Sequence, residues 1–120
     1  MRQNHTIGSL YNENSKILIL GSFPSVKSRE QGFFYGHPQN RFWKVLSTVL
    51  NQPLPTSIDE KKEFILNNKI ALWDVIASCE IKGSSDSSIK NVVPNNINEI
   101  LNNSKVKTIF TNGKLAFNLY

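Results

Sequence analysis

Three short apolar runs constrain the fold of this chain more than any other feature. They are Lys16–Leu20 (KILIL), Ile70–Trp73 (IALW) and Val106–Phe110 (VKTIF). The first stops at Gly21 and the third at Asn112-Gly113. The first, bounded by a glycine, reads as a buried strand, and the other two as further strands. Helical patterns lie between them. Arg41–Leu50 places Phe42, Leu46, Val49 and Leu50 on one helical face, and Pro53 and Pro55 end it. Ser57 with Glu60 three residues later predicts a capping box for a helix over Ile58–Leu66. Asn95 or Asn96 is expected to cap a helix over Ile97–Leu101, and Leu115–Tyr120 begins another. Ser78–Ser88 is polar and serine-rich and reads as a loop. Strands alternating with helices predict an α/β domain, a parallel sheet with helices on both faces.

Composition narrows the class. With 120 residues, 39% hydrophobic and 19% charged, one packed core is expected and disorder is not. A single cysteine excludes a disulfide framework within the chain. No apolar stretch approaches the roughly 20 residues needed to cross a bilayer, and Met1–Leu10 carries no secretory pattern. The expectation is a soluble, cytoplasmic protein with no membrane partner. The net charge of +5 is uneven: residues 1–50 hold six basic and two acidic side chains, the other 70 eight and seven. A basic half points to a polyanionic partner, nucleic acid first, or simply to a solvated surface.

In open α/β sheets ligands bind beyond the carboxyl ends of the strands. Three stretches fall there: Gly21–Asn40, Asp74–Ser88 and Thr111–Lys114. The connection Ser22–Gln39 is long for a compact domain, as functional loops often are. Gly21-Ser22-Phe23-Pro24-Ser25 forms a tight turn with backbone N–H groups able to face a ligand. It lacks the Lys-Ser/Thr pair of a P-loop and the glycine spacing of a dinucleotide site, which counts against a small-nucleotide-binding protein. Phe33, Phe34 and Tyr35 are adjacent, so at least one is expected to offer a flat face for stacking, unless all three plug the loop. Asn40 precedes a helix and is either its cap or a pocket amide. His37 is a solvent-facing loop histidine or a phosphate donor. Asn112, at a strand end before Gly113, has the character of a turn residue. Asp74 is a helix cap or a structural carboxylate bonded to the loop, which is favoured, or a rival acid. Cys79 reads as a small buried apolar residue, and no metal-ligand spacing surrounds it.

The ordered strings GSFPS (Gly21–Ser25), FYGHPQNRFW (Phe34–Trp43), IALWDVIASCE (Ile70–Glu80), GSSDSSI (Gly83–Ile89) and FTNG (Phe110–Gly113) resemble the uracil-DNA glycosylase superfamily, specifically its hypoxanthine-DNA (deoxyinosine) glycosylase branch. The resemblance implies a three-layer α/β/α sandwich with a short parallel sheet. It implies a DNA-repair hydrolase that cleaves the N-glycosidic bond of a flipped deaminated base, hypoxanthine or uracil, with no metal or organic cofactor. The alternative is a non-catalytic nucleic-acid-binding module of the same fold. Mismatch-directed relatives carry G-I-N-P-G at the first motif, and Phe23 stands here in place of its asparagine. The resemblance therefore moves the catalytic role to Asn40, in the H-P-x-N string. It places Ser22, Phe23, Phe34, Tyr35 and Asn112 against the base. Ser25, Lys27, His37 and Arg41 are expected on the DNA-facing rim. Family members continue into a serine- and proline-containing motif that enters the minor groove. On this basis residues 1–120 are expected to be a single glycosylase-like domain, truncated at its C-terminus.

Overall fold

A computed structural model of the chain describes residues 2–5, 7–24, 26–36, 41–83 and 86–120. The three apolar runs are strands. β2 (Ile17–Gly21), β3 (Ile70–Asp74) and β6 (Thr108–Thr111) form a parallel sheet in the order β3-β2-β6. Ile17 pairs with Ile70 and Thr108, and Gly21 reaches Asp74, so the carboxyl ends of β2 and β3 are level. Alternate residues leave the sheet on opposite faces. Ile70 and Leu72 join Phe33, Phe34, Trp43, Phe64 and Ile65 on one face, with Ile19 packed against them. Leu18, Leu20 and Ala71 join Ile97, Ile100 and Ala116 on the other. The helices α2 (Phe42–Val49) and α3 (Ile58–Asn67) supply the first layer, α4 (Asn98–Asn102) and α5 (Lys114–Leu119) the second. The protein is thus a three-layer α/β/α sandwich.

Local chemistry explains the helix boundaries. The Ser57 hydroxyl accepts from the Glu60 N–H at 3.0 Å, and the Glu60 carboxylate accepts from the Ser57 N–H at 3.1 Å, the reciprocal capping box that starts α3. α2 takes Arg41 as its cap residue, without a side-chain cap bond. Its buried stripe runs through Trp43 and Ser47, with Phe42, Leu46 and Leu50 beside it. Val49, expected on that stripe, is 73% exposed instead. The connection after β2 is not structureless, since Val26–Gln31 forms the short helix α1.

Two further expectations fail. Ser78–Ser88 is not a loop throughout: Ile76–Glu80 is strand β4, which pairs antiparallel with β1 (Arg2–Asn4) and β5 (Lys90–Pro94) in a second sheet of order β1-β4-β5. Register shifts along β4–β5 break the two-residue alternation. The two fully buried side chains of β4, Ile76 and Cys79, are therefore three residues apart, a spacing no strand pattern predicts. β1 and β5 show no buried residue. Nor does Asn95 or Asn96 cap α4 with its side chain, because the cap residue is Ile97. Asn95 instead donates its amide to the carbonyls of Asp74, at 2.9 Å, and Ile76, at 3.2 Å. It ties together the junction where the chain passes from the central sheet to the outer one. Cys79 is a free, fully buried thiol, as expected.

The two edges of the central sheet differ. Leu10 exchanges backbone hydrogen bonds with Leu72 at 3.0 and 2.9 Å and covers the outer edge of β3. β6 pairs with β2 alone among the described residues, and its Phe110 is 57% exposed.

Candidate active site at the carboxyl edge of the central sheet

Four polar side chains converge where β2, β3 and β6 end. Asp74, the last residue of β3, is 4% exposed. Its Oδ2 lies 2.7 Å from Nε2 of His5, which enters from the segment after β1; the two side chains are 3% and 5% exposed, His5 first. The Ile7 N–H donates to Nδ1 of the same ring at 3.3 Å. Nδ1 is thereby an acceptor, so the hydrogen-bond pattern assigns the proton to Nε2, and His5 donates to the carboxylate. The edge of the Phe23 ring packs against the imidazole at 5.9 Å between centroids, and Phe34 tilts against it at 6.3 Å.

The other carboxylate oxygen of Asp74 leans over Gly21. A Cβ on Gly21 would meet Oδ1 at 2.4 Å and the Tyr35 hydroxyl at 3.4 Å. This close approach is why glycine ends β2. The Asn112 amide, just past β6, donates to the Tyr35 hydroxyl at 3.2 Å. The backbone N–H of Asn112 bonds to the Leu20 carbonyl at 2.6 Å, which fixes its position relative to β2. Tyr35 itself sits at positive φ, 52°, a conformation uncommon for an aromatic residue and frequent at functional sites. Its ring stacks on Phe42 at 3.9 Å and 13°. Burial, and next the Asp74 charge, push the Tyr35 phenol well above the usual tyrosine range, against a smaller opposing effect of the Asn112 hydrogen bond. Tyr35 is therefore a neutral O–H group at physiological pH.

The structure brings some predicted residues together and moves others away. Tyr35 and Asn112 meet, although 77 positions apart. Ser22 is buried beside Gly21, and its carbonyl accepts from the Ile76 N–H at 3.1 Å. Phe23 is buried and packs with Ile76, Cys79 and Ile81 under the outer sheet, with the Arg29 guanidinium 5.5 Å above its ring. Phe34 corrects the expectation of a free flat face: it is 2% exposed and sealed between Phe33, His5 and Tyr35. All three adjacent aromatics pack inward because Phe33 stacks on Trp43 while Tyr35 turns onto Phe42. Arg41 is exposed and lines a cleft of about 510 Å³ between α2 and β6, which also reaches Asn112, Thr111 and Phe110. The catalytic candidate Asn40 and the rim candidates Ser25 and His37 lie outside the described residues, as does the Lys27 side chain.

Sequence reasoning assigned His5 nothing. Its partner is 69 residues away, and no spacing or motif around it carries a signal. Asp74 proves to be a bonded carboxylate, as favoured, but its partner is a histidine rather than a loop backbone or a helix end. Among the described residues no group of three or more His, Cys, Asp or Glu side chains is placed to hold a metal ion. Among them, too, no helix is long and apolar enough to cross a membrane.

Comparison with known proteins bears on this arrangement. The chain is 35% identical over 104 residues to the hypoxanthine DNA glycosylase of Methanosarcina barkeri, covering 85% of this chain and 66% of that protein. It is 39% identical over 82 residues to the hypoxanthine DNA glycosylase of Methanosarcina acetivorans, covering 68% and 52%. The chain thus spans between half and two thirds of the curated relatives it matches. The solution NMR structure of a candidate uracil DNA glycosylase from Methanosarcina acetivorans superposes with a TM-score of 0.86 at 30% identity, over 98% of this chain and 74% of the other. The sequence model of the uracil DNA glycosylase superfamily matches residues 9–120, and the chain belongs to that superfamily.

Proposed function

We propose that this protein is a DNA glycosylase that hydrolyses the N-glycosidic bond of a deaminated base flipped out of DNA. The observation that carries the reading is the convergence of Tyr35, Asp74 and Asn112 at the carboxyl edge of the parallel sheet, in a chain of this superfamily. A buried polar group at the bottom of an α/β site suits recognition of a base edge, and a base inside a duplex is out of reach unless it is extruded. Hypoxanthine and uracil share a lactam edge, an N–H beside a carbonyl. Asn112 has one amide N–H on Tyr35; its other N–H and its carbonyl suit that edge. Asn40 is the proposed catalytic residue. Cleavage builds positive charge on the sugar and negative charge on the leaving base. A neutral amide positions the attacking water without any need for a tuned pKa. The basic first half, including Arg41, supplies phosphate contacts.

The test is single-turnover cleavage of oligonucleotides carrying one deoxyinosine or one deoxyuridine. An abasic product from either supports the reading, and hypoxanthine is the first substrate to try, since two relatives carry that name. Retained DNA binding with no abasic product from either would make the protein a binding module instead. Asn40→Ala is expected to lower the cleavage rate at least about a hundredfold while the fold survives. Cleavage at the wild-type rate would remove Asn40 from the mechanism.

A further inference from the structure

We propose that His5 is a positioning residue of this site, acting through Asp74, and that the segment after β1 is accordingly one wall of the pocket. The proposal rests on the glycosylase reading for the identity of the reaction, but its geometric content is independent of it. A carboxylate as buried as Asp74 is costly unless its oxygens are bonded. His5 supplies that bond to Oδ2 at 2.7 Å. The donor is aimed rather than fortuitous: the Ile7 N–H occupies Nδ1, leaving Nε2 as the proton-bearing nitrogen, and Phe23 and Phe34 pack against the ring. With Oδ2 held, Oδ1 stands over Gly21, on the side where the Tyr35 hydroxyl also approaches. The Asp74 charge helps keep that hydroxyl protonated, and Asn112 hangs on it. His5 therefore determines the orientation of a carboxylate whose neighbours are the groups proposed to face the base. It does so without touching the base itself.

The proposal separates the chemical step from DNA binding. His5→Gln keeps an amide donor near the position of Nε2, whereas His5→Leu fills the space with none. Each variant of the full chain is compared with the wild type for single-turnover cleavage of a deoxyinosine oligonucleotide and for affinity to the undamaged duplex, after melting curves establish the folded fraction. His5→Leu is expected to slow cleavage at least about tenfold per folded molecule with duplex affinity changed less than about twofold, and Gln to recover to within about threefold of wild type. Equal rates in all three, or equal losses in Leu and Gln, would overturn the positioning role. Should the Leu variant fail to fold, the Gln variant and a second measurement decide. Imidazole nitrogen NMR of the wild type is expected to show the neutral His5 ring carrying its proton on Nε2, with Nδ1 free of one. The opposite tautomer would overturn the proposal whether or not the protein cleaves DNA. A wild type with the expected tautomer that cleaves neither oligonucleotide would leave the wall of the pocket standing and bring down the glycosylase reading alone.

Discussion

The central and outer sheets each have three strands, yet they are built by different rules. In the central sheet β2 and β3 are covered by helices on both faces, so almost every residue is buried or nearly so. In the outer sheet β1 and β5 bury nothing fully, and β4 contributes only Ile76 and Cys79 to a small cluster with Phe23 and Ile81. The first is a structural core and the second a solvated flap. The site lies on their seam: Asp74 closes β3, Asn95 ties the crossover, and His5 arrives from the flap. A pocket placed there has a rigid floor and a wall held by few contacts.

That comparison can be tested by substitution. Leu20→Ala, in a fully buried position of β2, is expected to destabilise the fold by about 3 kcal/mol in urea titrations. A loss below about 1 kcal/mol would mean the central sheet is no more demanding than the outer one. Gly21→Ala sharpens the seam, since its Cβ would collide with Asp74 at 2.4 Å. It should cost about 2 kcal/mol and disturb the His5 imidazole resonances, and unchanged resonances would refute the coupling. Ser57→Ala removes the capping box of α3 and should cost about 1 kcal/mol by thermal melting. Val93→Ala, 47% exposed on β5, should cost less than about 0.5 kcal/mol, and a loss comparable to Leu20→Ala would erase the distinction between the sheets. The smallest effect at neutral pH belongs to Tyr35. Its phenol is raised in the folded state, so the folded protein holds that proton more tightly than the unfolded chain. The resulting stabilisation is present below the ordinary tyrosine pKa of about 10 and is lost as pH rises toward the folded value. Wild type should lose stability above about pH 10 more steeply than Tyr35→Phe, and parallel alkaline slopes in denaturant titrations would contradict the raised phenol.

What could be read in advance followed burial on both faces. KILIL and IALW show as apolar runs because no residue in a doubly covered strand needs to be polar. VKTIF, half exposed as β6, shows through its β-branched and aromatic residues before Asn112-Gly113, and Ser57 with Glu60 shows because capping is local. β1, β4 and β5 stayed hidden. One has a broken alternation, and the other two bury too little to leave a pattern. Of the two alternatives for the adjacent rings, the plug is the one realised for Phe33 and Phe34; adjacency alone does not decide between them, because Tyr35, at positive φ, turns onto Phe42.

By itself, then, the sequence determined the layer architecture, the cap of α3 and, through its ordered strings, the superfamily. These depend on periodicity, short-range hydrogen bonds and motif order, all of which survive in one dimension. Only the tertiary structure decided that His5 meets Asp74 across 69 positions and that Asn112 meets Tyr35 across 77. A buried polar group is satisfied by whichever donor the fold carries to it, and hydrogen bonds between distant segments leave no spacing behind to be read.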